Sequence, residues 1–311
     1  MTNTPHIPVL YNEVIDSFAS VERGIIIDCT LGYGGHTSLL LDTYPHLHVI
    51  GIDQDETAIE FSTARLAEYG DRVRIKKGRF SDVIKEILQE HNSDEIVGVL
   101  ADIGVSSLQL DDESRGFSYD SNVLDMRMNK ESSFDAKSVV NEYSQKDLEN
   151  ILYNYGELKN SRSLASAIIS KRPFDSSKML SEVVKPFAPR GKKIHPATLV
   201  FQAIRIEVND ELGELNRLLD ALKENCLSRA KVGIISFHSL EDRVVKQKFT
   251  LWSKKCICDI DVMRCECGNN NDIGKIVTKK PLCATSDELK QNPRSRSAKL
   301  RVFQMSRSCS G

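Results

Sequence analysis

Three aspartates each close a short apolar run: Ile25-Ile26-Ile27 leads to Asp28, Val49-Ile50-Gly51-Ile52 to Asp53, and Val97-Gly98-Val99-Leu100-Ala101 to Asp102. Such runs, rich in β-branched residues, suit parallel strands buried on both faces. Ligands of open α/β sheets bind in the crevice outside the carboxyl ends of the strands, so three carboxylates at one edge read as a site. Between the first two lie Gly32, Gly34 and Gly35, which permit a tight turn and close approach of a ligand to the backbone. A helix over Thr37–Leu41 follows. The chemistry is that of a nucleoside pocket: Asp53 stands about twenty residues past the glycines, where a carboxylate commonly grips a ribose diol.

The glycine spacing departs from Gly-x-Gly-x-x-Gly, so a pyrophosphate cradled at a helix N-terminus is a weak match. An acid leading into the turn suits an ammonium-bearing ligand instead, such as the methionine end of S-adenosylmethionine. Gly78-Arg79-Phe80-Ser81-Asp82 follows a third strand at the level where an adenine would lie, and Phe80 either stacks on that ring or packs in the core.

The elements that must position these residues alternate as strand and helix. A helix carrying Val14, Ile15 and Phe18 leads in, another spans Asp55–Tyr69, and Arg72-Val73-Arg74-Ile75-Lys76 alternates like a more exposed strand. After the fourth strand the alternation stops. Residues 113–207 carry helical spacing only, with Leu148, Ile151 and Leu152 on one face and Leu164, Ile168 and Ile169 on another. The expected organisation is therefore an α/β domain built from 1–112 and 208–311, with 113–207 inserted as an all-helical domain. An amphipathic helix over Asp210–Asn225, a fifth strand over Lys231–Phe237 and a helix over Ser239–Trp252 resume the sheet. Ile276-Val277-Thr278 and Lys299-Leu300-Arg301-Val302-Phe303 read as a closing antiparallel pair.

The 311 residues are 40% hydrophobic and 28% charged, an ordinary soluble composition. No run reaches membrane-span length and the first residues lack a signal-peptide pattern, so a cytoplasmic protein is expected. Eight cysteines in that setting imply reduced thiols or a metal site. Charge is uneven. Arg243–Gly311 holds fifteen Lys or Arg against six Asp or Glu, while the rest of the chain is acidic. A basic segment on an acidic body points to a polyanionic partner or, more simply, to a solvated basic tail.

Nine segments together resemble the bacterial 16S rRNA (cytosine-N4) methyltransferases of the RsmH (MraW) type. They are His6-Ile7-Pro8-Val9-Leu10; Asp28-Cys29-Thr30-Leu31-Gly32-Tyr33-Gly34-Gly35-His36; Asp102-Ile103-Gly104-Val105-Ser106-Ser107 with Gln109-Leu110-Asp111; Arg115-Gly116-Phe117-Ser118-Tyr119; and Leu124-Asp125-Met126-Arg127-Met128. His195-Pro196-Ala197-Thr198, Phe201-Gln202-Ala203-Ile204-Arg205-Ile206, Ser236-Phe237-His238-Ser239-Leu240-Glu241-Asp242-Arg243 and Asn292-Pro293-Arg294-Ser295-Arg296-Ser297-Ala298-Lys299-Leu300-Arg301 complete the set. The resemblance runs in order over nearly the whole chain. It implies a Rossmann-like class I S-adenosylmethionine-dependent methyltransferase sheet with an inserted helical domain, acting on the exocyclic amine of one cytosine in the decoding region of the small-subunit rRNA. It further implies that Gly34, Gly35, His36, Asp53, Phe80, Asp102 and Gln109 contact S-adenosylmethionine. Two positions depart from the family pattern: Leu199 stands where Arg is usual after Pro-Ala-Thr, and Leu158 where a second Glu is common. A non-catalytic RNA-binding or ribosome-assembly factor that kept a nucleoside pocket is the rival reading, and a small-molecule methyltransferase a third.

The lone pair of a cytosine exocyclic amine is delocalised into the ring. An enzyme must hold that amine in line with the methyl group and accept a hydrogen bond from it. Asp102 is the candidate acceptor. Phe117 and Tyr119 are candidates for the wall that holds an unstacked base, or are helix-packing residues. Arg294, Arg296, Lys299 and Arg301 are candidates for phosphate contact, with strand alternation putting Lys299 and Arg301 on one face and Leu300 and Val302 on the other. His238 stands at a strand end, where a histidine is more often structural than a base. Cys256, Cys258, Cys265 and Cys267 offer four thiols that could hold zinc. However, Cys-x-Cys in an extended segment points its thiols to opposite sides, which favours free cysteines.

Overall fold

A computed structural model describes residues 8–21, 23–187, 197–225, 227–259, 261–262 and 264–306, the side chains of 107 and 108 excepted. His6, Ile7, His195 and Pro196 of the motifs above lie outside the described residues. The chain divides into two compact units, one of Met1–Gly104 with Glu214–Gly311 and the other of Val105–Gly213.

The first unit is a sheet of eight strands: β1 (Gly24–Asp28), β2 (Leu47–Asp53), β3 (Val73–Lys77), β4 (Ile96–Asp102), β5 (Lys231–Ser236), β6 (Gly274–Ile276), β7 (Leu282–Cys283) and β8 (Lys299–Met305). They lie in the order β3-β2-β1-β4-β5-β8-β6, with β7 also paired to β8. The first five are mutually parallel, and β8 runs antiparallel to β5, β6 and β7. The order reverses direction at β1 and β4, the kind of switch point where α/β sheets take ligands.

Strand burial follows from period 2. In β1, Ile27 joins one apolar cluster with the helices Phe80–Glu90 and Ser239–Trp252, while its neighbour Ile26 joins another with the helices Tyr11–Phe18 and Gly35–Thr43. Both sheet faces are thus covered, which explains the unbroken apolar runs. Phe249, Trp252 and Phe303 pack ring against ring at 5.2–5.4 Å on the first face. Register then fixes the strand ends. Asp28 lies opposite Gly51 on one side and Leu100 on the other, so Asp53 and Asp102 each stand two residues beyond it. An even offset gives all three side chains the same facing.

The second unit is built, among its described residues, of helices Ser107–Asp111, Ala136–Glu142, Gln145–Asn154, Ser161–Ser170, Ser177–Val184 and Thr198–Asn209 plus short 3-10 turns. Their starts are chemically marked: the side chains of Asp135, Ser144 and Ser176 accept from the N–H groups of Ser138, Asp147 and Met179. Leu148, Ile151, Leu152, Leu164 and Ile168 form its core as their spacing predicts. The division falls at 104/105 and 213/214 rather than at 112/113 and 207/208. Two contacts account for the difference: Val105 packs on this core, and Glu211 takes a two-pronged ion pair from Arg205 at 2.7 and 3.0 Å. No helix among the described residues is long and apolar enough to cross a membrane.

Candidate functional site

Each strand-end aspartate is held differently. Asp28 is 1% exposed. It accepts from the Thr37 hydroxyl at 2.7 Å and the Thr30 N–H at 3.2 Å. Burial pushes its carboxyl up to about 6 against the pull of those two bonds. Asp53 accepts from the N–H of Gly32 at 2.7 Å on one oxygen and of Asp55 at 2.9 Å on the other. Burial lifts it to about 6 as well, the backbone donors opposing and the Asp55 charge assisting. The Gln54 N–H also bears on the carboxylate, which retains acceptor capacity. The carboxylate is therefore oriented by the glycine turn and able to accept a pair of ribose hydroxyls.

Asp102 is the least satisfied of the three. Its backbone N–H donates to the Thr30 hydroxyl at 2.6 Å, which ties the ends of β1 and β4 together. Its Oδ2 lies 3.8 Å from His36 Nδ1, while its Oδ1 is buried without a hydrogen-bond partner among the described residues. Burial raises its carboxyl to about 6; His36 lowers it, and the charges of Asp28 and Glu241 raise it. His36 itself is buried, with Nε2 2.9 Å from the Val9 carbonyl. A carbonyl only accepts, so Nε2 carries a proton and Nδ1 is the nitrogen turned toward Asp102.

The turn has the geometry the glycines allow. Gly32 and Gly34 have φ of 50° and 71°, and a Cβ on Gly34 would meet Leu66 at 3.0 Å. Gly35 opens the helix Gly35–Thr43. Phe80, at the start of the helix Phe80–Glu90, is half-buried against the sheet core. Gln109 belongs to the second unit. There its side-chain carbonyl accepts from the Ser106 N–H at 3.0 Å while the Ser106 hydroxyl accepts from the Gln109 N–H at 3.1 Å.

The residues expected to meet nucleic acid have these surroundings. Phe117 is 6% exposed and packs within the helical core. Tyr119 lies edge-on to Phe201 at 5.1 Å and bonds the Thr198 hydroxyl at 2.9 Å, a packing arrangement within that unit. Arg301 is 8% exposed and grips Asp242 through two bonds of 2.6 and 3.2 Å, with Lys299 3.6 Å from the same carboxylate. Strand alternation placed these two cations on one face correctly, but that face is covered by the helix Ser239–Trp252, which carries Asp242. Arg294 and Arg296 lie in the turn Pro293–Ser297 and are exposed. Leu158 is buried in the helical core and Leu199 packs against it, so both departures from the family pattern are core contacts.

The residues that escaped the sequence reading are Thr30, Thr37 and Glu241. Glu241 is fully buried and accepts from the N–H groups of Phe237 at 2.8 Å and His238 at 3.2 Å. The His238 ring accepts from the Glu241 N–H in return, a reciprocal cap on the helix Ser239–Trp252. The i, i+3 spacing with Glu third was the available signal; the ring of His238 serves the helix start. The four cysteines of the loop after this helix converge, contrary to the alternation argument, because the loop is irregular rather than extended: all four Sγ atoms lie within 4.8 Å of one another.

The model of the MraW methylase family matches residues 3–306. The Ribosomal RNA small subunit methyltransferase H of Sulfurimonas denitrificans is 59% identical over 305 residues, 98% of this chain and 99% of that protein. The proteins of the same name from Nitratiruptor sp. and Campylobacter curvus are 56% and 52% identical, each over 97% of this chain and 99% and 98% of their own lengths. The methyl donor of this family is S-adenosylmethionine. A match that spans the sheet, the helical unit and the basic segment alike leaves one assignment, that this chain belongs to the MraW methylase family.

Proposed function

We propose that this chain transfers a methyl group from S-adenosylmethionine to the exocyclic N4 amine of a cytosine in the decoding region of 16S rRNA, acting in the cytoplasm on the small ribosomal subunit. When bound, the cofactor supplies an electrophilic methyl group on a sulfonium. The remainder of the work falls to the protein. Asp53 fixes the ribose and the Gly32–Gly35 turn admits it, which sets the position of the reacting end; such positioning supplies much of a barrier reduction. The observation that carries the amine reading is the unpartnered Asp102 Oδ1 at the end of β4. A carboxylate there accepts a hydrogen bond from the amine, drawing its lone pair out of conjugation. With a carboxyl pushed up to about 6, it is ionised at neutral pH and still basic enough to take a proton.

The names of the relatives supply the rRNA substrate, and Arg294 and Arg296 on the basic segment suit a polyanion. The test is mass spectrometry of small-subunit rRNA from cells with and without this protein. Loss of one N4-methylated cytosine is expected on deletion, with restoration on re-expression. An unchanged cytosine pattern would overturn the reading.

A further inference from the structure

The helix Ser239–Trp252 and β6 are joined by residues 253–273, which form no helix or strand among those described. Irregular connections of that length are uncommon outside functional or linker segments. Two arms of this loop carry Cys256-Ile257-Cys258 and Cys265-Glu266-Cys267. The Sγ of Cys256 lies 3.6 Å from that of Cys265 and 3.7 Å from that of Cys267, and those of Cys265 and Cys267 are 3.6 Å apart. No pair is disulfide-bonded. Four thiolates around zinc at about 2.3 Å stand about 3.8 Å apart along the edges of the tetrahedron. Three of the four sulfurs thus already describe one face of that figure, and Cys258 completes the group within 4.8 Å.

Backbone donors reach two of the sulfurs. The Ile257 N–H donates to Cys267 Sγ at 3.4 Å and the Glu266 N–H to Cys258 Sγ at 3.3 Å. Donors of this kind orient ligands and offset their charge. Each comes from the middle residue of one Cys-x-Cys and reaches the other arm, so the two arms hold each other. Asn271 adds a brace, its side chain donating to the carbonyls of Lys255 at 3.1 Å and Cys267 at 3.0 Å.

We propose that Cys256, Cys258, Cys265 and Cys267 bind one zinc ion as a closed structural site that clips this loop. With no open position, the ion takes no part in methyl transfer. Binding replaces four S–H protons with four metal–sulfur bonds and releases the protons, so affinity rises with pH.

The full-length protein, purified under reducing conditions without chelator, should contain one zinc per chain by inductively coupled plasma mass spectrometry. Titration with a mercurial thiol reagent should release that zinc to a colorimetric dye. Cys265→Ser should lose most of the metal, whereas Cys283→Ser, outside the cluster, should keep it. Should Cys265→Ser fail to fold, cobalt exchange into the wild-type protein gives the second reading: intense tetrahedral ligand-field bands with thiolate charge transfer are expected. Metal-free protein with four freely titrating loop thiols and no uptake of added zinc would overturn the proposal. So would two disulfides found by peptide mapping, or stoichiometric iron in place of zinc.

Discussion

Asp102 and Asp242 are the same residue type in the same unit, yet their environments differ in sign. At Asp102 burial dominates and lifts the carboxyl to about 6, with only His36 drawing it down. At Asp242 burial also works against the charge, but the hydrogen bonds and charge of Arg301, with Lys299 behind, hold the carboxyl below its ordinary range. Asp125 in the helical unit repeats the second pattern with Arg127, through bonds of 2.8 Å on each oxygen. An acid matched to a protein cation is finished and contributes to the fold. An acid whose burial outweighs its one nearby partner is costly when ionised, and that cost is recovered when something cationic or hydrogen-bond-donating arrives.

Breaking the unmatched side should give the largest effect. Asp102→Asn preserves shape and removes the ionisable acceptor, and single-turnover methylation of small-subunit RNA should slow by roughly 10²–10⁴-fold. Stability should move the other way. A carboxyl raised from 3.8 to about 6 in the folded state contributes stability below pH ~4 that is lost as pH rises through ~6. At pH 7 the asparagine variant should therefore resist urea more than wild type, by up to about 3 kcal/mol, with the difference vanishing near pH 4. The wild-type rate should fall below about pH 6. Equal stability at both pH values would show that Asp102 is not strained.

Breaking the matched side should do the opposite. Asp242→Ala strands a nearly buried guanidinium and should cost about 3 kcal/mol in urea denaturation, while calorimetric affinity for S-adenosylmethionine in the folded protein stays unchanged. Asp53→Ala sharpens the comparison by testing an acid proposed to hold the ligand: the affinity should fall by about 1.5–3 kcal/mol, one to two decades, with little loss of stability. The smallest effect concerns the exposed cations. Arg294→Ala with Arg296→Ala should flatten the salt dependence of RNA binding by about 0.7–0.9 in log–log slope per lost phosphate contact. An unaltered slope with earlier melting would place them with Arg301 among the structural arginines.

The carboxylate edge was legible because each aspartate interrupts a run that has no other reason to stop, and strand parity then delivers all three to one side. The helical unit was legible from its period alone. Arg301 was not, because alternation states which residues share a face but not what covers it; β8 lies between β5 and β6, where neither face is solvent. Phe117 was ambiguous for a related reason, since an aromatic near a motif has the same spacing whether it packs or binds. The cysteine loop was misjudged because period-2 geometry applies only to extended chain, and nothing local marks where extension ends.

The place of β8 in the sheet also bears on synthesis. Among the described residues it is the last strand in chain order, yet it sits between β5 and β6 and brings Arg301 to Asp242. The contiguous unit Val105–Gly213 can fold as soon as it leaves the ribosomal exit tunnel. The sheet cannot close until some seventy residues after β5 have emerged, and until then β5 shows an unpaired edge and Asp242 has no cation. At about 5–20 residues per second that interval lasts several seconds. During it the nascent chain carries a finished helical module beside a sheet with an open edge, the kind of edge that can pair with another chain.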